Sequence, residues 1–240
     1  MPSVRSAGDA ALSRMAGAGQ RHREEVGMTL PRPRTPIPGL GSDHRAAIIV
    51  SEMQRGIVDP TMSQLPGLAE QVASRSVTDR IDRLVRTARE LDVLVIWSLI
   101  VPRADRIGTG RNSPLMSLLH RWSFTTGTEE VALTPGLTVD DRDVVITRVH
   151  GLTPFHGTDL DPILRAEGIE TVILTGVSTD VALTGGALEA VNRGYRVVLP
   201  TDCTAGSSAE SHARRIEEFF PLMGAVTISD EVLRALRGQL

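Results

Sequence analysis

The stretch Thr171-Val-Ile-Leu-Thr-Gly-Val-Ser-Thr-Asp-Val-Ala-Leu-Thr-Gly-Gly-Ala187 constrains the fold more than any other. Its apolar start predicts a buried strand. Gly176 predicts a tight turn, because glycine adopts backbone geometry that other residues resist. The residues that follow predict a helix whose free N–H groups face the strand's carboxyl end, a ready seat for an oxyanion or a carboxylate. In open α/β sheets that end is where chemistry is placed.

Similar apolar runs recur at Ala46–Val50, Val93–Trp97, Val144–Ile146, Arg196–Leu199 and Ala225–Ile228. Apolar residues at Ile81, Leu84, Val85 and Ala88 have helical spacing. Further helices fit at about 158–167, 179–193, 207–220 and 229–237, and a short one over Leu115–Trp122. Strands apolar on both faces and separated by helices predict a parallel sheet covered on both sides. The expected fold class is α/β, a three-layer α/β/α sandwich with a mostly parallel six-stranded sheet.

The chain has 240 residues, 41% of them hydrophobic, which suits one such domain and its core. Residues 1–42, rich in Gly, Pro and Arg, read as a flexible or surface-wrapping N-terminal arm, and 43–240 as the domain. A net charge of -3 and an aromatic fraction of 3% give no footprint for nucleic acid. No apolar run reaches membrane-spanning length, and the expected compartment is the cytoplasm. The single cysteine, Cys203, excludes a disulfide within the chain and reads as a buried, inert thiol. No His/Cys cluster has metal-site spacing, no nucleotide-phosphate loop is present, and no metal or cofactor is expected.

Candidate site residues gather where strands end. Glu52 and Gln54 follow the first strand, and a carboxylate flanked by Val50 and Met53 is placed to serve as an acid with a raised pKa. Arg148 ends the third strand, offering a cation to a substrate carboxylate or to Glu52; His150 follows it. Phe155, His156 and the helix cap Thr158 lie in the next loop. Val177, Ser178, Thr179, Asp180 and Ala182 follow the Gly176 turn. The segment Pro102–Gly136 reads as a lid or substrate loop. Trp97, Ile100, Met116, Trp122 and Phe155 would suit the walls of a pocket for an apolar ring, or the core.

In order, these segments resemble the isochorismatase-like (cysteine hydrolase) superfamily. The resemblance runs from about Arg45 to Leu236. It is carried by Glu52-Met-Gln54, Phe155-His-Gly-Thr-Asp-Leu160, Gly176-Val-Ser-Thr-Asp-Val181 and Ala190-Val-Asn-Arg-Gly-Tyr195 followed by Asp202. It implies a cis peptide at Val177–Ser178, a homodimer or higher homo-oligomer, and a small-molecule substrate bound by Gln54, His150, Phe155, Val177 and Ser178. The family's amidases use aspartate, lysine and cysteine. Here the acid falls on Glu52 and the nucleophile's position on Ala182. The cation falls on Arg148 counted from the strand, or on Val149 counted back from Phe155.

Without a thiol at Ala182, thioester chemistry is closed at that position. The resemblance then implies a divergent member: a hydrolase of a small carboxylated metabolite with a cysteine-independent mechanism, acid-catalysed enol-ether hydrolysis being the leading expectation. The alternative is a catalytically inactive family member that acts as a binding or assembly protein.

Overall fold

The computed structural model describes residues 37–41 and 44–239. These belong to one compact unit, Arg32–Leu240. Most of the segment read as an N-terminal arm lies outside the described residues. Its described end is packed: Ile37 and Leu40 are buried in the core, and the Thr171 hydroxyl donates to the Gly39 carbonyl at 2.7 Å.

The sheet is built from β1 (Ala46–Ser51), β2 (Leu94–Ile100), β3 (Val144–Arg148), β4 (Thr171–Val177), β5 (Arg196–Pro200), the two-residue β6 (Thr204–Ala205) and β7 (Ala225–Thr227). Its order is β3-β2-β1-β4-β5-β7, with β6 beside the end of β4. Every ladder is parallel. The expected six strands are all present. The seventh, β6, is too short to leave a periodic signal in the sequence.

Side chains alternate across the sheet, as a two-residue period requires. Ile48, Val50, Val95, Trp97, Ile173 and Val198 face one apolar layer, whereas Ala47, Ile49, Ile96, Val172, Leu174 and Val197 face the other. Among the helices are α1 (Arg55–Val58), α2 (Pro66–Ser74), α3 (Val77–Glu90), α4 (Pro114–Leu119), α5 (Leu160–Ala166), α6 (Ala182–Asn192), α7 (Ala209–Arg214), α8 (Phe220–Met223) and α9 (Ser229–Leu236). Helices α2, α3 and α9 cover the first layer, and α5, α6 and α8 the second. The amphipathic α3 buries Val77, Ile81, Leu84, Val85 and Ala88, the stripe its spacing predicts. Helix α2 was not expected from the pattern, although Pro66 at its first turn and Leu68 and Val72 four residues apart mark it.

The strand order reverses direction between β1 and β4. The ligand crevice of an open α/β sheet lies at such a point, outside the carboxyl ends of the strands. Ser51, Ser98 and Gly176 lie abreast there, on β1, β2 and β4. Gly176 has φ +90°, and a Cβ on it would collide with the Ser51 carbonyl oxygen. Glycine is therefore required for β4 to run this close to the end of β1.

Candidate active site

A cavity of about 80 Å³ opens at the reversal point. Its walls are almost wholly apolar. They come from α1 and α2 (Ile57, Leu68) with the intervening Leu65, from the end of β2 (Ile100), from the loop containing α4 (Leu115, Met116, Leu119, Trp122), from Leu152, and from Val181 and Ala182 at the start of α6. Among the described residues Glu52 and Ser178 are the only Ser, Thr, Asn, Gln or charged side chains on the walls, and Glu52 the only ionisable one.

Glu52 is the first residue beyond β1. Its backbone sits in the left-handed region at φ 54°, a conformation that costs a non-glycine residue of order 1–3 kcal/mol. Neighbours hold it there. Its N–H donates to the Ser98 carbonyl at 2.9 Å, and Met53, the next residue, is fully buried. Behind Glu52, away from the cavity walls, lies Arg148. One Nη of Arg148 donates to Glu52 Oε1, and the other donates to the Ser98 hydroxyl at 3.3 Å. The Arg148 side chain is 1% exposed and its Nε has no partner among the described residues. Two effects act on the Glu52 carboxyl. Burial raises its pKa, and the charge and hydrogen bond of Arg148 lower it; burial wins, so the carboxyl holds its proton above the ordinary range.

The geometry corrects several sequence expectations. Arg148, rather than Val149, stands beside Glu52. Its side chain is not among the cavity walls, and one of its Nη atoms donates to Glu52. Gln54 is fully buried and faces away from the cavity. Its Nε2 donates to the carbonyls of Ile100 (3.0 Å) and Val131 (2.8 Å), and its Oε1 accepts from the Ile100 N–H at 3.0 Å. That consumes the side chain in tying the lid segment to β2. Phe155 lies in the other apolar layer, stacked on Tyr195 at 6.1 Å with the Arg193 guanidinium 4.9 Å over its ring. Val177 is buried in the core rather than lining the cavity; its peptide bond to Ser178 is cis, as the resemblance implies. Trp97 is buried too, with its indole N–H on Asp143 at 2.7 Å.

Ser178, Ala182, Ile100, Met116 and Trp122 all line the cavity. Asp180 accepts from the Ser207 N–H at 2.5 Å and from the Ser211 hydroxyl, which pins the loop leading into α6. Thr179 is bonded to His212 Nδ1 at 3.2 Å. Burial and Arg75 push the His212 pKa down to about 4, so this contact is one of a neutral ring at physiological pH. Thr158 sits one residue before the cap of α5, where its hydroxyl accepts from the Leu160 N–H at 3.3 Å. His150 and His156 line a neighbouring groove instead of the cavity. Cys203 is fully buried, outside the cavity walls, and burial pushes its thiol far up. Among the described residues no group of three or more His, Cys, Asp or Glu side chains is arranged to hold a metal, and no helix is long and apolar enough to cross a membrane.

A parallel α/β sandwich with an acid in an apolar cavity at its switch point is the architecture of a hydrolase class, and comparison with known proteins names it. Residues 46–231 match the isochorismatase domain model. The chain belongs to the isochorismatase family. It is 30% identical over 193 residues to the isochorismatase family protein YecD of Escherichia coli O157:H7, covering 79% of this chain and 95% of that one. It is 26% identical to ureidoacrylate amidohydrolase RutB of Methylorubrum extorquens, covering 86% and 89%. A cysteine hydrolase structure from Pseudomonas syringae pv. phaseolicola superposes with a TM-score of 0.75 at 27% identity, covering 89% of this chain and all of that one.

Proposed function

We propose that this isochorismatase-family chain is a hydrolase of a small molecule that works without a thiol, with Glu52 as its proton donor. One observation carries the reading. Glu52 is the sole ionisable group on the cavity walls, its pKa is raised by burial, and it faces the same cavity as Ala182. The family resemblance puts the nucleophile at Ala182, and a methyl group attacks nothing. Cys203 does not substitute for it, being buried away from the cavity as an un-ionised thiol.

Acid-catalysed enol-ether hydrolysis needs no nucleophilic side chain. The Glu52 proton passes to the vinyl carbon, and water adds to the resulting oxocarbenium carbon. The hemiketal then expels the alcohol, and the proton released by the water restores Glu52. A raised pKa keeps the donor protonated at higher pH, and apolar walls exclude competing water. Among the described residues the cavity walls carry no lysine or arginine, which favours substrates whose reacting end is not anionic over a carboxylated metabolite. The homodimer implied by the family is part of the same proposal, and sedimentation of the purified chain tests it.

The test is a turnover screen of neutral enol ethers and small amides with wild type, Glu52→Gln and Cys203→Ser. Glu52→Gln is expected to lose ~10²–10⁴-fold in kcat, the usual contribution of a positioned acid. Cys203→Ser is expected to retain full activity. Amide turnover that disappears in Cys203→Ser would overturn the thiol-independent reading. A folded wild type with no turnover of either class would favour the binding protein.

A further inference from the structure

The acid cavity alone is too small for most ligands. Its ~80 Å³ falls well below the few hundred Å³ of ordinary small-molecule sites. A second cavity of about 330 Å³ adjoins it. Met116, Gly151 and Leu152 line both, so the two spaces share one wall. The second space has the opposite character, presenting Asn112, Ser113, His150, Thr153, His156 and Glu189.

We infer that the two spaces form one divided site, in which the polar groove takes the uncharged hydrogen-bonding end of an amphipathic ligand whose apolar end lies beside Glu52. This rests on the reading of the Glu52 cavity as the reacting site. Among the described residues neither space has a lysine or arginine on its walls, so a carboxylate or phosphate would meet no permanent countercharge there. Glu189 does not make the groove a cation site, because its charge is already met: Arg193 Nη1 lies 3.0 Å from it, and the Thr153 hydroxyl donates to it at 2.5 Å. What remains is a set of amide, hydroxyl and imidazole groups that both donate and accept, matching a primary amide or an alcohol.

The shared wall is shaped for this. His156 meets His150 edge to face at 5.1 Å and lies against Gly151. A Cβ at Gly151 would come within 2.7 Å of His156 Cδ2. Glycine at 151 therefore lets the imidazole sit directly on the partition between the two halves. Asn112 and His156 are exposed, so the polar half faces solvent and the apolar half lies inside.

Titration of the full chain with three probes tests this: 3-phenylpropionamide, 3-phenylpropionate and ethylbenzene, followed by calorimetry or NMR. The amide is expected to bind about tenfold tighter than ethylbenzene, the worth of one or two net hydrogen bonds. The carboxylate is expected to show no such gain. The double variant Asn112→Ala/His156→Ala should lose the amide's gain and keep the ethylbenzene affinity, which also reports an intact fold. An amide no tighter than ethylbenzene, a gain that survives the double variant, or binding of neither probe would overturn the divided site. The hydrolase reading fails separately. If the amide gain is present but no turnover depends on Glu52, the divided site stands and the acid chemistry falls.

Discussion

At each end of β3 a carboxylate is paired with an arginine, and the pairs are built differently. Asp143, just before the strand, accepts four hydrogen bonds: two from Arg89 (3.1 and 2.5 Å), one from the Trp97 indole (2.7 Å) and one from the Asp140 N–H (3.0 Å). Its side chain is 2% exposed. Glu52 pairs with Arg148, the last residue of the strand, and its carboxylate has no other side-chain or backbone donor among the described residues. Arg148 Nε and the nearby Ser51 hydroxyl are buried without partners. A saturated pair spends all its hydrogen-bonding capacity on the fold. The unsaturated one keeps capacity in reserve and faces a cavity, which is where a reacting group has to be.

Removal of the saturated carboxylate is the largest effect expected from this contrast. Asp143→Ala leaves Arg89 and the Trp97 indole N–H buried without their acceptor, and should cost about 3–5 kcal/mol of stability. Urea unfolding measures it. Whatever folds should retain its full Glu52-dependent turnover. A loss under about 1 kcal/mol would mean that the four bonds are not the structural pair we describe.

The next effect is one of pH. Arg148 holds the Glu52 pKa down against burial, so Arg148→Gln removes the lowering influence and the pKa rises further. A carboxyl with a raised folded-state pKa stabilises the fold fully below its unfolded pKa, near 4.5, and loses that contribution as pH rises through the folded value. In Arg148→Gln that window extends upward. The activity limb that reports a protonated Glu52 should move to higher pH. A limb that stays in place would separate the titrating group from Glu52.

The sequence made the scaffold readable for a physical reason: parallel strands buried on both faces appear as unbroken apolar runs, and Gly176 appears as the only residue that fits beside Ser51. It also marked the strand ends, where Glu52 and Arg148 stand; the family resemblance marked Ala182. What it hid was direction. Gln54 and Phe155 lie in the right loops, yet one turns to backbone groups of the lid and the other into the opposite layer; the tertiary packing of those loops decides both. Whether Arg148 faces a ligand or a neighbour is likewise invisible in spacing. The change from lysine to arginine at the cation position also weighs less than it first suggests. All 26 basic residues of this chain are arginine, so the position follows the whole sequence rather than the site. The change from aspartate to Glu52 has no such general cause.

Ser98→Ala is the finest probe of the contrast. Among the described residues the Ser98 hydroxyl is the sole acceptor besides Glu52 that Arg148's side chain reaches, over a long 3.3 Å bond, and it is fully buried. Its loss should cost only about 0.5–1.5 kcal/mol, because a single neutral acceptor is removed and the ion pair itself remains. The activity limb should shift in the same direction as in Arg148→Gln and by less, since Arg148 keeps its charge and loses only its fixed orientation. A cost as large as that of Asp143→Ala would show that the Glu52 pair depends on Ser98 as heavily as Asp143 depends on its four donors. The distinction between a structural and a reacting pair on β3 would then disappear.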